Sequence, residues 1–246
     1  MSILYEDNGI TLTALPSNVL FLVLGRGQNV FNPALVSSLN ASLDKVEEQE
    51  HPKALVITAE GKFYSNGLEL EFLQSNSASQ VGQFVESVWR LLSRILVFDC
   101  RTVAAINGHA IGAGLFLALA CDYRIMCTER GILWWPELNL GIALRKGFAE
   151  LTKAKVQDPR TLREGVLTGK RYSSSEALES GLIDLECPVK ELLSQAEEMS
   201  EAGLPQNLGL ANFSPKSLHR MKIEIYTDAF RALAYGQFDS PPQSRL

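Results

Sequence analysis

The chain has 246 residues, 46% hydrophobic and 21% charged, with a formal net charge of −5. That is enough for one substantial core, and an acidic balance with no Lys/Arg-rich stretch lacks the basic footprint that nucleic-acid backbones require. Four cysteines without CxxC spacing and three histidines indicate neither a zinc site nor a disulfide framework, the N-terminal MSILYEDNGI shows no secretory pattern, and no apolar run reaches the ~20 residues of a membrane helix.

Residues 10–15 and 19–24 read as paired strands joined through Pro16-Ser17-Asn18. Asn32-Pro33 then starts a helix with Leu35, Leu39, Leu43 and Val46 on one face. A strand is predicted over 54–59. After the segment Gly61-Lys62-Phe63-Tyr64-Ser65-Asn66-Gly67-Leu68-Glu69-Leu70, Val81, Phe84, Val85, Val88, Leu91, Leu92, Ile95 and Leu96 recur at helical spacing and are assigned to the core. Thr102 to Ile106 is a short β-branched and apolar run that Asn107-Gly108 breaks, and Gly112, Ala113 and Gly114 open a buried helix. A helix start carries unsatisfied N–H groups and the positive end of the dipole, so this turn aims donors at a bound oxyanion; its other reading is a tight packing turn. Another strand follows over 123–126, and the chain is mostly helical from Arg145. Past Pro188 it is helical with a break at Gly203-Leu204-Pro205 and a final helix over 214–235. Alternating strands and helices imply an α/β architecture.

Taken together, the Gly61–Leu70 segment and the turn Asn107-Gly108-His109-Ala110-Ile111-Gly112-Ala113-Gly114 resemble the crotonase, or enoyl-CoA hydratase/isomerase, superfamily. Its signatures are a Phe-x-x-Gly loop after a strand and an Asn-Gly-x-Ala-x-Gly-x-Gly turn before a buried helix, and the resemblance covers residues 10–190. It implies a crotonase spiral of repeated ββα units over 1–188, a C-terminal helical region over 189–239 that packs on the core and supports homotrimers or dimers of trimers, and a tail over 240–246. The tail ends in Ser244-Arg245-Leu246, a conservative variant of the Ser-Lys-Leu address read by the peroxisomal import receptor, after an extended Ser240-Pro241-Pro242-Gln243. Peroxisomal localisation is expected.

By the same resemblance, the substrate is an acyl-CoA thioester whose carbonyl oxygen is held by the backbone N–H groups of Leu68 and Ala113. Coenzyme A is then part of the substrate, no separate cofactor is implied, and the glycines lack dinucleotide-binding spacing. Arg26, Lys62 and the loop residues Phe63, Ser65, Asn66 and Gly67 are the positions expected along it; for Arg26 and Lys62 the other reading is a solvated charge. Hydratases of this superfamily use two glutamates. One lies two residues after the last glycine of the second turn, where this chain has Phe116, and the other follows a proline, matching Glu137 in Trp134-Trp135-Pro136-Glu137. One carboxylate suits proton transfer between two carbons of one substrate, as in Δ3,Δ2-enoyl-CoA isomerases, which the chain particularly resembles. Tryptophans walling the site would raise the Glu137 pKa towards the range useful to such a base. Glu137 also has a reading as a surface carboxylate, and His109 readings as a packed histidine or an alternative acid. Asp122 and Arg124 are assigned as structural anchors. A hydratase or dehydratase that recruits another acid, and a silent acyl-CoA-binding protein, remain as alternatives.

Overall fold

A computed structural model of the chain describes residues 2–202, 209–212 and 214–238; the Gly203-Leu204-Pro205 break and Ser244-Arg245-Leu246 lie outside the described residues. The expected strand pair forms as β2 (Ile10–Ala14) and β3 (Val19–Leu24), antiparallel. A further strand, β1 (Ser2–Asp7), adds to its edge; largely exposed, it carries no apolar alternation to betray it. Helix α1 (Pro33–Glu47) starts where predicted, with the Asn32 side chain accepting the Leu35 N–H at 2.9 Å and proline in the first turn. Because a helix now separates two strands, β4 (Ala54–Ala59) returns parallel to β3.

From β4 onwards the chain alternates between two sheets. It leaves the first sheet to make β5 (Phe63–Ser65) in a second, smaller one, and returns through α2 (Leu70–Ser75) and α3 (Ala78–Leu96) to β6 (Arg101–Ile106). A Ser77–Gln80 capping box begins α3 three residues before its first apolar stripe residue, Val81. The next turn repeats the pattern with β7 (His109–Ile111), α4 (Ala113–Ala120) and β8 (Tyr123–Cys127). The third leads through β9 (Leu133–Trp134) to α5 (Lys146–Lys155) and α6 (Pro159–Thr168). Then come β10 (Arg171–Tyr172), α7 (Ser174–Glu179), β11 (Leu185–Cys187) and α8 (Leu192–Ala202). The three turns each add one parallel strand to each sheet, β5 with β6, β7 with β8 and β9 with β11, and β10 closes the small sheet antiparallel to β9, giving the orders β1-β2-β3-β4-β6-β8-β11 and β10-β9-β7-β5. This is the crotonase-type ββα spiral, with a helical extension after it.

The central strands of the large sheet, β3, β4, β6 and β8, are buried on both faces, which is why they read as continuous apolar runs. Leu20, Leu22, Leu55, Ile57, Ala104 and Ile106 face the main core with α1, α3 and α4, while Phe21, Val56, Val103, Ala105 and Ile125 face α8 through Leu192, Ala196 and Met199. The final helical stretch is two helices, α9 (Pro215–Ile225) and α10 (Thr227–Ala234), because the backbone leaves helical geometry at Tyr226. α10 packs on α3 and α5. Asp122 and Arg124 lock this arrangement. Asp122 accepts from the Thr102 N–H at 2.8 Å and from the buried Lys222 of α9 at 2.7 Å, and Arg124 donates to the Leu182 and Cys121 carbonyls. No helix among the described residues is long and apolar enough to cross a membrane.

Candidate active site

Three neighbouring parallel strands of the small sheet, β5, β7 and β9, deliver the two motif segments and the Pro136-Glu137 loop to one place. Their C-terminal ends run into Gly67-Leu68, Gly112-Ala113 and Pro136-Glu137. Ligands of parallel sheets gather at such ends, where chain turns and helix starts leave backbone groups unpaired. Residues from all three line one cavity of about 320 Å³.

The first segment is held from below. Asn29 in the loop after β3 accepts the Arg26 N–H and donates to the Leu24, Phe63 and Tyr64 carbonyls, while buried Ser65 donates to the Asn29 carbonyl at 2.7 Å. Phe31 pairs with both sides of Leu68, donating to the Gly67 carbonyl and accepting the Glu69 N–H, each at 2.8 Å. That pairing skips the Leu68 N–H. At the start of α4 the Ala113 N–H is likewise left over, and among the described residues neither group meets an acceptor. The two segments touch: a Cβ added at Gly67 would stand 2.9 Å from the Ile111 carbonyl oxygen and 3.4 Å from the Ala113 nitrogen.

Gly114 has a specific neighbour, the Ser65 backbone. A Cβ there would stand 2.4 Å from the Ser65 carbonyl oxygen. Gly114→Ala must therefore push α4 away from the loop carrying Leu68, and it is expected to cost about 1–3 kcal/mol of stability. Turnover should fall beyond what residual folding explains, which thermal melts combined with initial rates at low temperature would measure.

Glu137 is partly buried, and its Oε2 has no hydrogen-bond partner. Burial pushes its carboxyl up from the ordinary 4.5 to about 7, against a smaller opposing pull from its own backbone N–H. The loop that carries it is folded back on itself, since the Leu140 and Ile142 N–H groups both donate to the Glu137 carbonyl. Trp134 lines the cavity, its indole tied to the Gly169 carbonyl at 3.1 Å. Trp135 does not wall the site: it is buried in the core, edge-on to Tyr172, because alternate residues of an extended strand point to opposite faces.

Phe116 lines the cavity fully buried, stacked on Phe148 at 4.2 Å between ring centroids and 13° between planes. Phe148, from α5, escaped sequence reasoning because nothing local links it to Phe116. So did Glu69, a second carboxylate in the lining, which accepts from the Asn32 side-chain amide at 3.2 Å.

The positions expected along coenzyme A divide. Asn66 and Gly67 line the cavity, with Asn66 bound to the Gln28 side chain at 2.8 Å. Arg26, Lys62, Phe63 and Ser65 are outside the lining. Arg26 and Lys62 are exposed, Lys62 lying 5.7 Å over the Phe63 ring, and Phe63 packs on His109 at 5.1 Å. Three residues separate Phe63 from Gly67, so the aromatic at x-x-Gly spacing is Tyr64, wholly buried, while Phe63 stands outside. His109 is outside the lining too, and burial together with nearby Lys62 lowers its pKa. A larger groove of about 660 Å³ is lined by His51, Asp99 and His219, among others, and by none of Leu68, Ala113 or Glu137.

A two-sheet ββα spiral with its cavity at the ends of three small-sheet strands defines a crotonase-fold protein. Residues 16–223 match the enoyl-CoA hydratase/isomerase family, and the chain belongs to it. Membership makes it a crotonase-type enzyme acting on an enoyl-CoA. Among its relatives are enoyl-CoA delta isomerase 2, peroxisomal, of Arabidopsis thaliana, 34% identical over 67% of this chain and 71% of that protein, and a putative enoyl-CoA hydratase of Thermus thermophilus, 30% identical over 88% and 85%. A crystal structure of a probable enoyl-CoA hydratase from Mycobacterium tuberculosis has the same fold, with a TM-score of 0.82 at 23% identity over 93% of both chains.

Proposed function

We propose that the protein is a Δ3,Δ2-enoyl-CoA isomerase with Glu137 as its single base. The observation that carries this reading is the pairing of a Glu137 carboxylate whose Oε2 has no hydrogen-bond partner with Phe116 stacked on Phe148 at the position where a hydratase of this family has its other glutamate. Glu137 takes a proton from C2 of a 3-enoyl-CoA; the electrons of that C–H bond spread over the dienolate, whose oxygen accepts from the Leu68 and Ala113 N–H groups. The same proton returns to C4, and the double bond now lies between C2 and C3. Donors fixed by backbone need no reorganisation as the charge develops. Arg26, Lys62 and the loop through Asn66 and Gly67 are proposed to meet the coenzyme A portion, and assembly as homotrimers or dimers of trimers is carried over from the family resemblance.

An assay offering 3-enoyl-CoA and 2-enoyl-CoA side by side tests the proposal. Glu69 in the cavity lining favours one competitor, a hydratase that uses Glu69 with Glu137. Water addition to 2-enoyl-CoA that disappears in Glu69→Gln would establish that competitor.

Peroxisomal localisation is part of the proposal, supported by the Ser244-Arg245-Leu246 tripeptide and by the peroxisomal name of the Arabidopsis relative. Deleting residues 244–246 is expected to leave the isolated enzyme active and shift a fluorescent fusion from peroxisomes to cytosol. Continued import in cells without a full-length copy would place the address elsewhere.

A further inference from the structure

Two cavities meet at Glu137. The first holds Leu68 and Ala113; the second, of about 400 Å³, shares Leu68, Leu73, Glu137, Ile142 and Phe148 with it and continues past Val81 and Val85 of α3 to Phe238. Phe238 stands on the segment after α10 and is held from three sides. Its backbone N–H donates to Glu86 Oε1 at 2.9 Å, the Arg145 guanidinium lies 4.4 Å over its ring, and the Trp89 ring stands 6.3 Å away. α3 makes room for the ring with Gly82, where an added Cβ would come within 3.2 Å of it. Glycine inside a helix costs stability, so its presence opposite Phe238 marks a close fit.

We infer that Phe238 is the end wall of the acyl cavity and sets the length of acyl chain that the site accepts. The inference rests on the proposed reading, in which the thioester oxygen lies between the Leu68 and Ala113 N–H groups and C2 to C4 lie beside Glu137. The rest of the chain then has the second cavity to occupy, and its Val81, Val85 and Ile142 walls reward each buried methylene. A chain long enough to reach Phe238 must stop or displace a residue whose backbone is held by Glu86 and whose ring lies under the Arg145 guanidinium.

Titration calorimetry with saturated acyl-CoAs of increasing length tests this without requiring turnover. For the unmodified protein, affinity is expected to rise about fourfold per methylene until the chain meets the wall, then level off or fall. Phe238→Ala should move that break to longer chains by about two to four methylenes, and Phe238→Trp should move it to shorter ones, with short-chain affinities within about twofold of each other. Circular dichroism checks the fold of each variant, and either variant alone reads the shift. A break at one unchanged length in folded variants would overturn the role of Phe238 while leaving the isomerase reading intact. Failure of the unmodified protein to bind acyl-CoA of any length would overturn both.

Discussion

Glu137→Gln is expected to lower isomerisation of 3-enoyl-CoA by about 10²–10⁴ while acyl-CoA binding persists, because glutamine keeps the shape of the side chain and removes the base. Near-normal turnover in a folded variant would end the proposed role. The raised carboxyl adds two pH signatures. Only the ionised form accepts the C2 proton, so kcat/KM should climb with pH up to about 7 and flatten above it. Stability runs the other way. Between the ordinary 4.5 and about 7 the folded protein holds a proton on Glu137 that the unfolded chain has released, so folding loses stability as pH rises through this window. Glutamine escapes that cost. The variant should therefore gain on the order of 2 kcal/mol over the unmodified protein near pH 8 and nothing near pH 4, as urea titrations at the two pH values would measure.

The second large effect is a ratio of two activities. The protein is expected to isomerise 3-enoyl-CoA at least about 10²-fold faster than it hydrates 2-enoyl-CoA, the magnitude that one missing acid–base group costs. The Phe116–Phe148 stack fills the position with apolar surface, so activating water there would need a polar group from elsewhere. Comparable rates on the two substrates would mean that another carboxylate serves, and Glu69 is the one in the lining.

The sequence by itself determined the elements whose signals are local. The α1 start at Asn32-Pro33, the α3 stripe, β3, β4 and the glycine turn into α4 depend on capping, periodicity and backbone conformation within a few residues, and each stands where those signals put it. The motif order around Leu68, Ala113 and Glu137 also marked the family. Strands β5, β7, β9 and β10 were not legible, since two or three residues cannot display a period and such strands exist only by pairing with one another. Their adjacency is what collects three loops distant in the chain around one cavity. The same non-locality hid Phe148 behind Phe116, placed Trp134 in the site while burying Trp135 in the core, and carried Phe238 from the far end of the chain to the second cavity. Local sequence encodes backbone conformation and the residue types a reaction needs; which side chains face one another is decided by packing, where burial of apolar surface selects among partners that no spacing along the chain announces.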